Sequence, residues 1–151
     1  MLSLLDKTKT KLLIEYCIER FGMSEKIFEG HQLYEGSKNK VYLIKKLINL
    51  RFVPESSGLC IFRFDKTPKP TTNFLQLFGS KIKRNVLDIN KANLIEYCEG
   101  NNLEIDIKKN NIEPGFIAIR YKMSVIGCAH WNKKIVKNQL PKPRRCKINY
   151  C

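Results

Sequence analysis

The residues best suited to chemistry in this sequence are cations close to its C-terminal end. They are Lys133, Lys134, Lys137, Lys142, Arg144, Arg145 and Lys147. We refer to residues 133–147, which contain no Asp or Glu, as the basic segment. Clustered lysines and arginines neutralise phosphates. Pro141 and Pro143 restrict the backbone around Lys142, so we expect an extended segment whose cations lose little freedom when they bind a polyanion.

Aromatic residues lie beside cations at two places just before or within this segment. One is Arg120-Tyr121-Lys122, and the other is His130-Trp131-Asn132-Lys133. Aromatic faces next to cations can stack on unpaired bases while the cations neutralise phosphates. We therefore expect Arg120, Tyr121 and Trp131 to contribute to nucleic-acid binding.

Catalytic patterns are weak by comparison. Neither His31 nor His130 has a carboxylate at a recognisable spacing, although His31 with Glu29 or Glu35 is the pair on which an enzyme could be built. The sequence contains neither a Walker phosphate loop nor a G-x-G-x-x-G dinucleotide motif. We therefore expect a protein without enzymatic activity and without a cofactor.

The six cysteines do not predict a metal site. No two of them form a C-x-x-C pair, and the set Cys128, His130, Cys146 and Cys151 has a spacing that matches no common zinc site. Cys17 and Cys98 lie on apolar faces of predicted helices, where a free cysteine acts as a small hydrophobic residue.

Composition indicates a globular, strongly basic protein. The chain has 151 residues, 43% of them hydrophobic, and a formal net charge of +14 from 28 Lys and Arg against 14 Asp and Glu. Such an excess attracts polyanions, and nucleic acid is the first partner to consider. No apolar run approaches the roughly 20 residues of a membrane span, and Asp6 interrupts the apolar start. We expect a cytoplasmic protein that does not bind membranes.

Periodicity and capping residues predict a small α+β unit over residues 1–84. A helix is predicted over residues 7–21, between Asp6 and Gly22. A hairpin is predicted from residues 31–35 and 40–44, a strand over 59–64 and a helix over 73–78. The proline-rich residues 67–72 are expected to lack regular structure.

Residues 85–151 predict a small β-barrel with one helix. The expected elements are a strand over 85–89, a helix from the Asn90 cap to Cys98, and strands over 116–121, 125–130 and 135–138. Residues 103, 105 and 107 alternate as in a strand, and Ile148 either begins or finishes a last one. The fold class that we predict is therefore α+β.

The second half also resembles a known family. The resemblance is carried by Gly115–Tyr121, Ile126–Cys128, Lys137–Arg145 and Glu96–Leu103. These segments are similar to the C-terminal PUA-like domain of RsmF and Sun family RNA 5-methylcytosine methyltransferases, which has a strand ending in Arg, a Leu-Gly turn and a closing K-N-x-x-P-K-G-x-R. Residues 85–148 carry the resemblance, and the first half is more weakly similar to the segment that precedes this fold there and in stand-alone archaeal ribosome-biogenesis proteins.

The resemblance implies which residues face RNA. They are Lys137, Asn138, Lys142 and Arg145, with Arg120 and Arg144 as neighbours. Two positions depart from the family pattern: Pro143 replaces a glycine, and residues 122–124 replace a turn that usually contains one. On this basis we expect that changing Lys142, Arg144 and Arg145 together to Ala weakens RNA binding and leaves the fold intact.

The family's catalytic parts have no counterpart in the sequence. The S-adenosylmethionine-binding domain is missing, and no cysteine stands in the Pro-Cys or Thr-Cys context of the nucleophile. We therefore expect a non-catalytic protein that binds structured RNA, tRNA or rRNA, in RNA modification or ribosome biogenesis, with a methyltransferase as a separate partner. The alternative is a protein-interaction adaptor in ribosome assembly.

Overall fold

Three helices and nine strands form the described part of the chain, which in a computed structural model covers residues 2–46, 57–107 and 111–148. The helices are α1 (Lys7–Phe21), α2 (Thr72–Leu77) and α3 (Lys91–Cys98). The strands are β1 (Ser3–Leu4), β2 (His31–Glu35), β3 (Lys40–Lys45), β4 (Leu59–Phe64), β5 (Pro68–Pro70), β6 (Val86–Asp88), β7 (Gly115–Tyr121), β8 (Ser124–Trp131) and β9 (Val136–Asn138). This mixed composition confirms the predicted α+β class.

Helix α1 begins and ends where the capping residues predict. The Asp6 carboxylate accepts a hydrogen bond from the backbone N–H of Thr8 at 3.3 Å, and Gly22 ends the helix with a left-handed φ of 65°. One face of α1 is fully buried through Leu13, Cys17 and Phe21. The predicted helix is confirmed, and so is the structural interpretation of Cys17.

The first sheet has the strand order β1-β2-β3-β4-β5 and is antiparallel throughout. The predicted hairpin is its centre, with Leu33 of β2 opposite Leu43 of β3. Its inner face packs on α1 and α2 in one hydrophobic cluster that includes Leu33, Val41 and Phe62. The ring centroids of Phe62 and Phe74 lie 4.4 Å apart within that cluster.

The proline-rich segment is more regular than predicted. Instead of breaking the structure, Pro68–Pro70 forms β5 and pairs with β4, with Lys69 opposite Arg63. Proline is tolerated here because β5 is the edge strand of the sheet, where a missing N–H leaves no ladder bond unmade. Helix α2 then begins at Thr72, since the Thr71 hydroxyl accepts a hydrogen bond from the N–H of Phe74 at 3.2 Å.

The second sheet has the order β6-β7-β8-β9, with β6 parallel to β7 and the other pairs antiparallel. Helix α3 is capped as predicted by Asn90, whose side chain accepts a hydrogen bond from the N–H of Asn93 at 2.9 Å. The strand expected at residues 103–107 is reduced to an isolated bridge between Leu103 and Val136. The last strand expected at Ile148 is not formed in the described residues 139–148.

Strands β7 and β8 contribute side chains to two hydrophobic clusters. Ala118 and Cys128, which lie opposite each other, belong to the cluster of the first sheet. Ile117 and Ala129, the next opposite pair, belong to a second cluster that includes Tyr97 of α3. The second sheet is therefore covered on both faces, and its first face shares a hydrophobic cluster with the first sheet. The predicted division of the chain between residues 84 and 85 stays a prediction.

Polar side chains join the two halves at the end of α1. The Arg20 guanidinium donates to the carbonyl oxygens of Phe116 at 2.7 Å, Pro114 at 3.1 Å and Glu113 at 2.7 Å. Asn85 donates through Nδ2 to the carbonyl of Arg20 at 2.6 Å and accepts through Oδ1 from the N–H of Glu113 at 2.9 Å. These contacts fix the start of β7, and through it the second sheet, against α1.

Among the helices in the described ranges, none has the length and apolar character that crossing a membrane requires.

Candidate nucleic-acid interface

The basic segment turns back on the C-terminal end of α3, and Asn138 makes that turn. Its Nδ2 donates to the carbonyl oxygens of Tyr97 at 2.7 Å and Asn101 at 3.0 Å. Its Oδ1 accepts from the N–H of Leu140 at 2.8 Å. Both ends of the amide are therefore occupied inside the protein. These bonds show that Asn138 positions the basic segment, and the RNA contact implied by the resemblance stays a prediction.

The chain between the two prolines is not extended. Residues Lys142–Arg144 form a 3-10 turn, in which the N–H of Arg144 donates to the carbonyl of Pro141 at 2.8 Å. The expectation of an extended segment is wrong, because the fixed φ of proline is also compatible with the first turn of a helix, where Pro143 lies. Two residues later, the N–H of Cys146 donates to the carbonyl of Cys98 at 2.8 Å. The chain from residue 138 to residue 146 is thus fixed at both ends to the C-terminal end of α3.

Arg145 is held in place and still has free donors. Its side chain lies across Gly100, where a Cβ would come within 2.5 Å of the Arg145 Cδ. Its Nε donates to the carbonyl of Leu140 at 3.1 Å. Neither terminal nitrogen has a hydrogen-bond partner within the described part of the chain. The guanidinium is therefore pre-positioned to donate to a phosphate.

Arg144 has a different role. Its guanidinium donates to Oε1 of Gln76 at 3.1 Å and to Oδ1 of Asn73, both on α2. It therefore joins the basic segment to the first half of the chain. Changing Lys142, Arg144 and Arg145 together to Ala would remove these hydrogen bonds between the basic segment and α2. The Arg144 substitution would therefore also affect the packing of the two halves, so this triple variant does not test RNA binding alone.

Unlike the predicted binding arginines, the side chains of Lys137 and Lys142 make no polar contact with the described part of the protein. Both are exposed, and neither ammonium has a hydrogen bond or ion pair among the residues that the structure describes. Lys137 lies opposite His130 across β8 and β9. Burial, and after it the charge of Lys137, lowers the pKa of His130, whose ring packs edge-on against Phe116 at 4.9 Å between centroids.

Arg120 is not a free cation. Its Nε and Nη2 donate to the two carboxylate oxygens of Asp88 at 2.6 and 2.8 Å, across the parallel pair β6 and β7. These hydrogen bonds hold the pKa of Asp88 below its usual range and raise that of Arg120. Next to it, Tyr121 is half-buried and carries the Lys122 ammonium 5.4 Å from its ring centroid.

Trp131 does not offer a stacking surface. Its side chain is 6% exposed and packs in the second cluster with Ile117 and Leu140. The expectation that it stacks on a base is wrong for this structure, because the alternation along β8 turns Trp131 inwards and leaves His130 half-buried on the other face.

The geometry of the described residues gives little support to a catalytic site at His31 or to a metal site at the cysteines. His31 contacts the backbone carbonyl of Glu29 at 3.2 Å, and the Glu35 carboxylate pairs with Lys9 at 2.7 Å. Burial raises the pKa of the Cys128 thiol to about 12. No cluster of three potential metal ligands occurs in the described ranges, and Cys151 of the four-ligand set lies outside them.

Sequence reasoning missed the partners that decide what each arginine can do. Asn73 and Gln76 hold Arg144 from about 70 residues away, and Asp88 holds Arg120 from 32 residues away. No local spacing pattern carries such information. The pairing of β6 with β7, which places Asp88 opposite Arg120, is itself a tertiary feature.

Comparison with known families agrees with this geometry. Residues 84–146 match the family model described as the methyltransferase RsmF PUA domain. Residues 84–146 are therefore similar to a PUA domain. The match covers about two fifths of the chain and confirms the resemblance predicted over residues 85–148. No curated protein sequence matches the chain.

PUA domains are generally RNA-binding domains, and the matched region contains α3, the second sheet and the basic segment up to Cys146. The match includes no methyltransferase catalytic domain. The second sheet, most of the basic segment and the family resemblance therefore lie in the same part of the chain, residues 84–146.

Proposed function

We propose that the protein binds structured RNA, a tRNA or an rRNA, through the basic segment of its PUA-like unit. The observation that carries the proposal is the match of residues 84–146 to a PUA domain, since that match spans the exposed cations Lys137, Lys142 and Arg145. Their arrangement supports phosphate contacts. Arg145 is pre-positioned by Gly100 and Leu140, and the two lysines have no protein partner in the described ranges.

In this proposal the chain is a non-catalytic, cytoplasmic RNA-binding protein that acts in RNA modification or ribosome biogenesis. A separate RNA methyltransferase would supply the chemistry in trans. The supporting observations are the family of the matched domain and the lack of a carboxylate partner for His31 in the described residues. Affinity would come mainly from phosphate contacts, which makes it strongly dependent on salt.

The test is RNA binding by a variant with Lys137, Lys142 and Arg145 changed to Ala, in the full chain. Because three phosphate contacts are removed, we expect binding of a tRNA or an rRNA hairpin to weaken by about tenfold or more at physiological salt. The slope of log K against log salt should become shallower by about 2 to 3. Arg144 is left unchanged so that its contacts with α2 remain.

The matched control is a variant with Lys7, Lys11 and Lys26 changed to Ala. These exposed lysines lie along the groove between α1 and β2 and carry the same total charge. We expect this control to weaken binding by no more than about threefold, through net charge alone. Equal losses in the two variants would contradict the proposed surface. Protein complexes that survive nuclease treatment, together with no preference for RNA over duplex DNA, would favour the adaptor alternative.

A further inference from the structure

The outer face of the first sheet carries a row of three cations. Lys40 of β3 lies opposite Arg63 of β4, and Arg63 lies opposite Lys69 of β5. Opposite residues point to the same face of a sheet, and here it is the face away from α1, because their neighbours Val41 and Phe62 are buried in the inner cluster. With strands about 4.8 Å apart, the row spans about 10 Å.

This row has no internal compensation. None of the three side chains has an ion pair or a hydrogen bond within the described part of the chain. Arg63 and Lys69 are exposed, and Lys40 is partly exposed. Like charges directly opposite each other destabilise a sheet, and a bound polyanion would remove that repulsion. The sheet therefore presents a site that is electrostatically complementary to phosphates.

Two tyrosines continue the same face. Tyr34 of β2 lies opposite Tyr42 of β3, and Tyr42 is two residues from Lys40 along its strand, which places all three on the outer face. Both tyrosines are partly exposed, and neither belongs to a hydrophobic cluster of the described residues. Leu4, opposite Tyr34 on β1, is 63% exposed. Aromatic rings on an open sheet beside cations are suited to stacking with unpaired bases.

We propose that this outer face, formed by Tyr34, Lys40, Tyr42, Arg63 and Lys69, binds a single-stranded segment of RNA. The inference rests on the proposed function, because it gives a second contact to the same class of ligand. The cations select a polyanion, and the tyrosines select bases that are not already stacked in a duplex. An acidic protein segment would match the charge of the row but would leave the paired tyrosines without a role.

The experiment measures binding of a twelve-nucleotide oligouridine to the full chain. One variant reverses two charges of the row, Arg63→Glu with Lys69→Glu. A second variant, Tyr34→Ala with Tyr42→Ala, removes the rings and keeps the charge. We expect each to weaken oligouridine binding by about tenfold or more. The slope against salt should become shallower only in the charge-reversed variant.

The control reverses Lys7 and Lys26, which lie on the α1 side of the sheet, and changes the net charge by the same amount. It should weaken binding by no more than about threefold. Equal losses in the control and in Arg63→Glu with Lys69→Glu would overturn the proposal, as would unchanged binding in a folded tyrosine variant. Folding is checked by the far-ultraviolet circular dichroism spectrum and the thermal transition.

Failure of the proposed function would be seen separately. The variant with Lys137, Lys142 and Arg145 changed to Ala tests the PUA-like unit with an RNA hairpin, and the outer-face variants test the sheet with oligouridine. If only the hairpin result fails, the basic segment is not the RNA-binding surface, while the oligouridine result still supports RNA as the ligand and the outer face as its site. If oligouridine binds the wild-type protein and polyglutamate does not displace it, the proposal is supported. If polyglutamate binds this face and oligouridine does not, it is overturned.

Discussion

At the scale of single residues, the cations of the basic segment differ in what holds them. Arg144 is bound to α2, and Arg145 is anchored by its Nε alone. Lys137 and Lys142 have no partner among the described residues. A cation already satisfied by the protein gains less from a phosphate than an unpaired one, since it must exchange one hydrogen bond for another. This difference supports the proposal that Lys137, Lys142 and Arg145 contact phosphates.

The pKa of His130 gives a prediction at the scale of single residues, because the charge of Lys137 affects it. Burial, then the charges of Lys137 and Arg20, lowers the pKa of His130. A phosphate bound at Lys137 would offset one of these charges, so RNA binding should raise the pKa of His130. Titration of the imidazole resonances by NMR, with and without an RNA hairpin, measures this shift. In Lys137→Ala the pKa should already be higher without RNA, and the RNA-dependent rise should shrink.

The same residue sets a pH dependence of stability. Because the pKa of His130 is lower in the folded state, the unfolded chain takes up this proton first as the pH falls. This contribution to the free energy of unfolding is complete above the unfolded pKa of about 6.5 and is lost as the pH falls from there through the lower folded-state pKa. His130→Gln should therefore flatten the pH dependence of urea unfolding between about pH 7 and pH 5. An unchanged pH profile in the variant would contradict this assignment.

At the scale of elements, the turn between β7 and β8 is strained. Lys122 and Met123 have φ values of 44° and 69°, in the left-handed region, and Tyr121 pairs with Ser124 across the turn. This is the geometry of a two-residue hairpin turn that strongly favours glycine. Lys122 and Met123 adopt this geometry without a glycine at either position.

Met123→Gly should therefore stabilise the protein. Met123 is 87% exposed, so its removal costs no packing. Relief of the left-handed strain, less the added backbone entropy of glycine, should increase the free energy of unfolding by about 0.5 to 1 kcal/mol. Met123→Ala keeps the strain and should change it by less than about 0.5 kcal/mol. Urea unfolding of both variants distinguishes them, and an equal response would argue against strain at this position.

At the scale of the whole molecule, Arg20 holds the two halves together. Its side chain is 11% exposed and donates three hydrogen bonds to carbonyl oxygens at the start of β7. The oxygens of Glu113, Pro114 and Phe116 would lose their donor in Arg20→Ala. We expect a loss of about 2 to 4 kcal/mol in the free energy of unfolding.

The control for Arg20 is Arg84→Ala. Arg84 is exposed and donates one hydrogen bond, to the carbonyl of Ile18 at 2.8 Å. Its loss should cost about 0.5 to 1.5 kcal/mol. If Arg20→Ala is no more destabilising than Arg84→Ala, the contacts of Arg20 do not hold the halves together. Because both variants remove one positive charge, their effects on RNA binding through net charge are matched.

The sequence by itself determined the elements whose causes are local. Asp6 and Gly22 set the ends of α1, and Asn90 sets the start of α3. The two strand-like runs that flank the turn residues 36–39 predicted the hairpin of β2 and β3. Capping and periodicity act over a few residues, so they are readable without the fold. The family resemblance of residues 85–148 was readable for the same reason, because short contiguous motifs carry it.

Only the tertiary structure decided which side chains are available for binding. Trp131 is buried, Arg120 is paired with Asp88, and Arg144 is bound to α2 through contacts that no local pattern encodes. The row of Lys40, Arg63 and Lys69 exists only because three strands pair in one register. A side chain's burial and partners depend on segments far away in the chain, and the free energy of packing those segments together selects among the arrangements that local preference allows.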